Sequence, residues 1–189
     1  MEGLSPEELD RLHALEADEA FMGMAIDQAR RAAEEGEVPI GAVVVADGVV
    51  IASAHNRRET DRDPSAHAEF SALIEASRVL NRWRLTGCTV YVTLEPCLMC
   101  AGLMVNSRID RCVYGAPDPK GGALGTLFDV SADERLNHAF EVTKGVREEE
   151  CADLLRQFFR KRREEAKAAK KAAREGLEDV GSEQENATG

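Results

Sequence analysis

The chain has 189 residues, of which 43% are hydrophobic, and this length suits one ordinary domain with a packed core. No stretch reaches the roughly 18 consecutive apolar residues of a membrane-spanning helix, and the acidic N-terminus does not resemble a signal or transit peptide. Five cysteines, an odd number without a small secreted framework, favour reduced thiols and a cytoplasmic location.

The net charge of −11 is distributed unevenly along the chain. Residues 1–20 carry seven acidic side chains and one basic side chain, and residues 176–189 carry four acidic side chains and none that is basic. Residues 156–174, by contrast, carry nine basic and two acidic side chains. Because local fields rather than the total charge steer polyanions, RNA remains a reasonable partner. A solvated helix face has the same pattern, so both interpretations stay open at this point.

Two helices are predicted before the first strand. Ser5-Pro6-Glu7-Glu8 has the pattern of a helix start, with Ser5 as the N-cap and Glu8 closing a capping box. Leucines at positions 9, 12 and 15 give this short helix one apolar side, which we expect to pack against the domain. A second helix is predicted over about residues 18–35 and ends at Gly36.

Strands and helices then alternate along the chain. β-Branched runs at 40–46 and 49–54, joined by Asp47-Gly48, are typical of an antiparallel hairpin. After a polar loop over 56–63, the pattern predicts these elements in order: a helix over 64–80, a strand over 88–94, a helix over 96–106, a strand over 111–115, a functional loop over 116–125, a short strand over 140–144 and a long helix over 148–174.

This order of elements predicts an α/β fold, namely a three-layer α/β/α domain with a mixed five-stranded sheet. We expect an acidic N-terminal extension over residues 1–17 and the domain itself, with its basic C-terminal helix, over 18–175. Residues 176–189 are polar, small and acidic, and we expect a disordered tail there.

Two short motifs carry the chemistry, His67-Ala68-Glu69 and Pro96-Cys97-Leu98-Met99-Cys100. They offer one imidazole, two thiolates and one free carboxylate, which is typical of a catalytic zinc site because a structural site closes with four protein ligands. Cys97 and Cys100 share one face of a helix, whose positive end helps to hold both as thiolates. Glu69 is then the candidate base for the proton of a water in the fourth position.

The spacing of the first motif raises a geometric question. On a regular helix, His67 and Glu69 would point in nearly opposite directions, so we expect the metal to lie at the irregular helix end. The Cys97-x-x-Cys100 motif is also compatible with a redox dithiol, or with half of a structural zinc site completed by Cys88 or Cys112, although those two lie in apolar strands. The remaining candidates are predicted to be structural: Cys151, His55 and His138.

The pairing of H-x-E with P-C-x-x-C is the signature of zinc-dependent nucleobase deaminases. Over roughly residues 20–165 the sequence resembles the bacterial tRNA-specific adenosine deaminases of the cytidine/deoxycytidylate deaminase superfamily. Besides the two motifs, the matching segments are Val38-Pro39-Ile40-Gly41-Ala42, Asp63-Pro64-Ser65-Ala66, Tyr91-Val92-Thr93-Leu94-Glu95, Ser107-Arg108-Ile109, Gly115-Ala116-Pro117-Asp118-Pro119-Lys120-Gly121-Gly122 and Asn137-His138.

This resemblance implies hydrolytic deamination of adenosine to inosine at the wobble position, 34, of tRNA anticodons, by attack of a zinc-activated hydroxide on adenine C6. It implies one zinc ion per subunit held by His67, Cys97 and Cys100, with Glu69 as the catalytic residue. It also implies a cytoplasmic homodimer whose subunits meet near Ser107-Arg108 and which binds the anticodon stem-loop of tRNA and no membrane. The implied substrate-binding residues are Ile40, Asn56 and Ala68 at the flipped base, and Asp118, Lys120, Phe159, Arg160 and Arg162 at the anticodon loop.

Two other functions are compatible with the same ligands. A free-base or nucleoside deaminase, such as a guanine or cytosine deaminase, would use the same zinc chemistry, but it has no use for the basic segment 156–174. A zinc-stabilised RNA-binding module without catalysis would need the ligands and the basic segment, but not Glu69.

Overall fold

The computed structural model describes the backbone of residues 5–186 and the side chains of residues 5–172. The helices within this range are α1 (Pro6–Glu34), α2 (Arg58–Asp61), α3 (Ala68–Val79), α4 (Leu98–Ser107) and α5 (Glu148–Asn186). The strands are β1 (Gly41–Ala46), β2 (Val49–His55), β3 (Cys88–Leu94), β4 (Arg111–Ala116) and β5 (Glu141–Lys144).

The five strands form one mixed sheet in the order β2-β1-β3-β4-β5. Strand β1 is antiparallel to both of its neighbours, whereas β3, β4 and β5 run parallel to one another. The β1–β2 hairpin closes at Asp47-Gly48, where both residues have positive φ angles of 49° and 73°, as a tight two-residue hairpin turn requires. The predicted mixed five-stranded sheet is confirmed.

Helices cover both faces of the sheet, each over its own apolar core. Leu73 of α3 and Met104 of α4 pack with Val90 on one face. On the other face, Met22 and Ile26 of α1 pack with a core that includes Cys151 at the start of α5. This arrangement confirms the predicted three-layer α/β/α architecture, and it shows that Cys151 is a core residue, as expected.

The two helices predicted before the sheet form one continuous helix, α1. The predicted capping box at its start is present, with Ser5 and Glu8 each accepting a hydrogen bond from the other's backbone N–H. No proline or glycine lies between Pro6 and Gly23, so nothing in the backbone ends the helix near residue 17. The expected packing of Leu9, Leu12 and Leu15 against the domain is wrong, because all three are exposed and the buried side of α1 begins at Asp18.

Several helix starts differ from the predicted ones. Helix α3 begins at Ala68 rather than at residue 64, because Asp63 accepts hydrogen bonds from the backbone N–H and the hydroxyl of Ser65 and thereby holds a turn. Helix α4 begins at Leu98 rather than at residue 96, and the polar segment 56–63 contains the short helix α2.

The chain divides into two compact units, with the boundary between Leu154 and Leu155 inside helix α5. Helix α5 continues to Asn186, beyond the end predicted near residue 174. A single glycine at position 176 lowers helix propensity without blocking a backbone hydrogen bond, and therefore does not have to end a helix. The predicted domain limits at residues 17 and 175 stay predictions, as does the separate character of the tail. Residues 1–4 and 187–189 lie outside the described range.

No helix in the part of the chain searched is both long and apolar enough to cross a membrane.

Candidate active site

The two chemical motifs lie at the N-termini of two neighbouring helices. His67 is the N-cap of α3, with φ −77° and ψ 149°, and Cys97 is the N-cap of α4, with φ −74° and ψ 171°. Both residues therefore have extended backbone. Because His67 precedes the helix instead of lying within it, its side chain is not forced to the side opposite Glu69. The geometric question raised by the His-x-Glu spacing is thus answered as expected, with the candidate ligands at the helix end.

The imidazole and the two thiols converge on one point. The His67 Nδ1 atom lies 3.7 Å from the Cys97 sulfur and 3.7 Å from the Cys100 sulfur. Tetrahedral zinc, with Zn–S near 2.3 Å and Zn–N near 2.0 Å, sets nitrogen and sulfur ligands about 3.5 Å apart. The donor set and its spacing therefore fit zinc. Among the described residues, the metal-compatible group consists of these three, and neither Cys88 nor Cys112 belongs to it.

The charges of the two thiols are coupled. The hydrogen bond from the Cys100 thiol lowers the pKa of Cys97 to about 3, against the opposing effect of burial, and His67 adds to the lowering. The same hydrogen bond and burial raise the pKa of Cys100, and the Cys97 sulfur raises the pKa of His67. The site therefore holds one thiolate ready for a cation, and metal binding would release the remaining proton.

A cavity of about 100 Å³ opens beside this group. Glu69, in the first turn of α3, lines it and is only 4% exposed, and burial raises the pKa of its carboxyl group. A carboxyl group with a raised pKa is suited to take up and return a proton near neutral pH. The structure brings five predicted site residues together around this cavity: Ile40, Asn56, His67, Ala68 and Glu69.

Glu37 is a site residue that sequence reasoning missed. Its carboxylate is 1% exposed, lines the same cavity and accepts hydrogen bonds from Asn56 Nδ2 at 3.1 Å and from the Thr60 backbone N–H at 2.6 Å. In the sequence Glu37 follows Glu34 and Glu35, which are both exposed. No local signal separates it from them except its place four residues before the start of the buried strand β1.

Asp118 and Lys120 lie in the loop that follows β4. The Asp118 carboxylate accepts a hydrogen bond from the Lys120 backbone N–H at 2.9 Å, so it shapes the loop itself, while Lys120 is exposed. The loop is tied to the N-terminus of α4 by a 2.9 Å hydrogen bond from the Ala123 N–H to the Pro96 carbonyl. Asp118 and Lys120 thus belong to a segment anchored next to Cys97.

A second missed carboxylate, Glu95, organises that loop. It is 2% exposed and accepts hydrogen bonds from the Thr126 hydroxyl and from the backbone N–H groups of Asp118, Leu124 and Thr126, the latter three at 3.0 to 3.1 Å. A Cβ atom at Gly122 would collide with this carboxylate, which explains a glycine there. The Leu-Glu-Pro-Cys sequence places Glu95 beside a ligand, and this was the available signal.

Phe159, Arg160 and Arg162 lie on the second unit, in the part of α5 beyond Leu154, and all three are exposed. Within that unit the Phe158 and Phe159 rings meet edge to face with centroids 5.4 Å apart, and the Arg162 guanidinium lies 5.8 Å from the Phe158 ring. Exposed cations beside aromatic rings are typical of RNA-binding surfaces. The role of these three residues in the site stays a prediction.

His55 and His138 are both hydrogen-bonded, as expected for structural residues. His55 bonds with the side chains of Gln28 and Glu35, and His138 bonds with the Ile109 carbonyl.

Comparison with known proteins identifies the family. Residues 16–163 match the family model of MafB19-like deaminases. The tRNA-specific adenosine deaminase of Bacillus subtilis (strain 168) is 54% identical over 154 residues, which cover 82% of this chain and 96% of that protein. The chain belongs to the tRNA-specific adenosine deaminase family. The resemblance predicted from the motifs is confirmed.

Solved structures agree with this assignment to the deaminases. A structure from work on A-to-I editing by tRNA:A34 deaminases at the wobble position of transfer RNA has a TM-score of 0.70 and 46% identity, and the match covers 72% of this chain and 99% of that one. A guanine deaminase from Nitrosomonas europaea has a TM-score of 0.60 and 28% identity over 82% of this chain and 93% of that one. The predicted cytidine-deaminase-like fold is therefore confirmed for this deaminase.

Proposed function

We propose that this protein deaminates adenosine to inosine at the wobble position, 34, of tRNA anticodons. The observation that carries the proposal is the buried Glu69 carboxyl group, which lines one small cavity together with His67, the residue that also belongs to the His67, Cys97 and Cys100 group. The family supports the choice of substrate, because the relative that is 54% identical is a tRNA-specific adenosine deaminase.

His67, Cys97 and Cys100 would hold one zinc ion per subunit, because their donor atoms and spacing fit it. When bound, zinc supplies a Lewis acid that acidifies water for attack on C6 of adenine. Two thiolate ligands offset the charge of the ion, so a nearby proton acceptor gains importance.

Glu69 would move the proton. Its carboxylate would take one proton from the attacking water and give it to the N1 atom of the ring, where it stays. It would then take the second proton from the new C6 hydroxyl group and give it to the amino nitrogen, so that the C–N bond breaks, ammonia departs and C6 becomes the carbonyl of inosine. Ile40 would pack against the base, with Asn56 as a polar contact. The backbone N–H of Ala68 is the first of helix α3, where the helix itself provides no acceptor, so it can donate to the substrate.

The RNA would be held outside the cavity. The loop of Asp118 and Lys120 is anchored beside Cys97 by Glu95 and Pro96, and Phe159, Arg160 and Arg162 present cations and an aromatic ring for the anticodon loop. We also propose a cytoplasmic location, because tRNA is the substrate named for the relatives and the five cysteines are free.

We further propose a homodimer that meets near Ser107-Arg108. Exposed apolar side chains at the start of α4 and in the connection after β4 support it: Leu98, Met99, Leu127, Phe128 and Leu136. The last of these adjoins Ser107-Arg108, because the Arg108 guanidinium donates to the side chain of Asn137. The isolated bridge between Cys97 and Gly122 places these two segments side by side. Such an exposed apolar set is typical of an interaction surface.

The decisive assay incubates zinc-loaded protein with an anticodon stem-loop that carries adenosine at the wobble position. We expect inosine from the wild type and, because Glu69 moves the proton, a loss of about 10²- to 10⁴-fold in turnover for Glu69→Gln with the metal content unchanged. Glu75→Gln, an exposed acid on the same helix, is the matched control and should behave as wild type. Absence of inosine from fully metal-loaded wild type would refute the proposal.

A guanine deaminase is the second candidate, and the likeness to the Nitrosomonas europaea enzyme favours it. Free guanine offered in the same assay separates the two functions. An RNA-binding module without catalysis predicts that RNA binds and nothing turns over. His67→Ala should lose the metal and part of the thermal stability under every hypothesis, since metal binding is coupled to folding.

A further inference from the structure

The carboxylate of Glu37 takes no part in the proposed proton transfer, although it is almost fully buried at the wall of the cavity. Its Oε1 atom accepts from the Thr60 backbone N–H at 2.6 Å, and its Oε2 atom accepts from Asn56 Nδ2 at 3.1 Å. A backbone N–H cannot reverse its role, so the Thr60 contact fixes one oxygen of the carboxylate. The other oxygen is then available only as an acceptor for Asn56.

The orientation of the Asn56 amide follows from this contact. Its Nδ2 group donates to Glu37 and, at 3.4 Å, to the Val38 carbonyl, which uses both of its hydrogens. Both contacts are made by Nδ2 and leave the Oδ1 atom of Asn56 without a partner in them. In the described part of the chain, no fully buried side-chain oxygen or nitrogen lacks a partner, so Oδ1 is not fully buried. We infer that it is accessible from the cavity that Asn56 lines.

We propose that Glu37 is a positioning residue that holds the Asn56 amide with Oδ1 turned to the cavity as a hydrogen-bond acceptor. This inference rests on the proposed deamination of adenosine. An acceptor at this place selects a donor of the nucleoside, either a ribose hydroxyl or the exocyclic amino group, because the ring nitrogens of adenine that face a pocket are themselves acceptors.

The exchange of an amide and a carboxylate between the two positions tests this directly. In Glu37→Gln, the remaining side-chain oxygen must accept from the Thr60 N–H, so the new NH₂ group faces Asn56. The Asn56 amide then rotates so that its Oδ1 accepts from this NH₂ group and its Nδ2 faces the cavity. The cavity then receives a donor. In the double variant Glu37→Gln/Asn56→Asp, the new NH₂ group at position 37 donates to one oxygen of the carboxylate introduced at position 56. The second oxygen of that carboxylate again faces the cavity as an acceptor, and the net charge of the pair is unchanged.

We expect kcat/KM for the stem-loop to fall about tenfold or more in Glu37→Gln, with zinc content retained. Asn56→Asp alone should fall as well, because it sets two buried carboxylates side by side. The double variant should have a kcat/KM higher than that of either single variant and close to that of the wild type. If Glu37 had a merely structural role, the fold-losses in kcat/KM of the two single variants would multiply in the double variant. Glu34→Gln, which removes an exposed charge three residues away, is the matched control and should stay within about twofold of wild type.

A substrate with 2′-deoxyadenosine at the wobble position separates the two donors. If the 2′-hydroxyl is the donor, Glu37→Gln and the wild type have nearly the same kcat/KM on this deoxy substrate. If another donor is used, Glu37→Gln lowers kcat/KM by the same factor on both substrates. If Glu37→Gln fails to fold, the double variant must still be more active and more stable than Asn56→Asp. In the wild type, the NMR signals of the Asn56 side-chain NH₂ must show proximity to the Glu37 side chain.

A Glu37→Gln variant equal to the Glu34→Gln control, a double variant with multiplied losses, or an Asn56 NH₂ group remote from Glu37 would each overturn the inference. In these cases wild-type turnover of the stem-loop still stands. Wild type without turnover would instead refute the proposed function, so the two failures are distinguishable.

Discussion

At the scale of single residues, the buried carboxyl groups of Glu37, Glu69 and Glu95 fall into two kinds. Glu37 and Glu95 each accept hydrogen bonds from fixed N–H groups, which offset the cost of burying a charge. Glu69 has a pKa that burial raises. The first two therefore hold neighbouring segments in place, and the third is suited to carry a proton.

The four hydrogen bonds to Glu95 lead to a prediction about the loop after β4. In Glu95→Gln, one acceptor oxygen becomes an NH₂ group that faces N–H donors, so we expect the protein to lose about 1–3 kcal/mol of stability. Hydrogen exchange at the Leu124 and Thr126 amides should accelerate, and KM for the stem-loop should rise. Thermal unfolding, hydrogen exchange and steady-state kinetics measure these three effects.

Glu134→Gln, which changes an exposed acid beyond the same loop, is the matched control. It should leave the stability, the hydrogen exchange of the loop and KM for the stem-loop unchanged. Gly122→Ala should resemble Glu95→Gln, because its Cβ atom would displace the same carboxylate. Unchanged exchange at Leu124 and Thr126 in Glu95→Gln would contradict the anchoring role.

At the scale of elements, the N-termini of α3 and α4 decide the geometry of the candidate site. Their N-cap residues, His67 and Cys97, have extended backbone, so their side chains reach the space in front of both helices. The motif spacing predicted a site at a helix end. It did not reveal that Cys97 precedes α4, because Pro96 is equally compatible with the first helical position.

The basic part of α5 carries the prediction that separates tRNA from a small substrate. Replacing Arg160, Arg162 and Arg163 with Gln should raise KM for the stem-loop and reduce the salt dependence of binding, by about 0.7 in the log–log slope for each phosphate that the protein no longer neutralises. Binding measured at several salt concentrations gives this slope. Turnover of a free base should not change.

The matched control neutralises three exposed arginines of the other unit, Arg11, Arg31 and Arg78, and removes the same total charge. If both triple variants weaken binding equally, net charge rather than the α5 surface attracts the RNA. If neither does so and free guanine is deaminated, the second candidate function is favoured.

At the scale of the whole molecule, the exposed apolar side chains at the start of α4 and in the connection after β4 predict self-association. We expect the chain of 20.6 kDa to sediment as a dimer, because burying these side chains in a second copy contributes about 25 cal/mol per Å² of apolar surface. Leu127→Ser/Phe128→Ser should shift the equilibrium towards the monomer. Sedimentation equilibrium measures this shift.

Leu9→Ser/Leu12→Ser, which changes two similarly exposed leucines on the first turns of α1, is the control and should leave the association unchanged. A wild-type protein that remains monomeric at micromolar concentrations would contradict the proposed homodimer. An equal shift in both variants would place the interface elsewhere.

The sequence by itself determined the family, the α/β/α architecture and the donor set of His67, Cys97 and Cys100, because residue types at fixed spacing specify chemistry and hydrophobic periodicity specifies elements. The tertiary structure alone decided that Glu37 contacts Asn56, 19 positions away, and that Glu95 contacts Leu124, 29 positions away. It also decided that the first three turns of α1 stay exposed. Contacts between distant positions depend on how whole elements pack, and local sequence patterns carry no record of that packing.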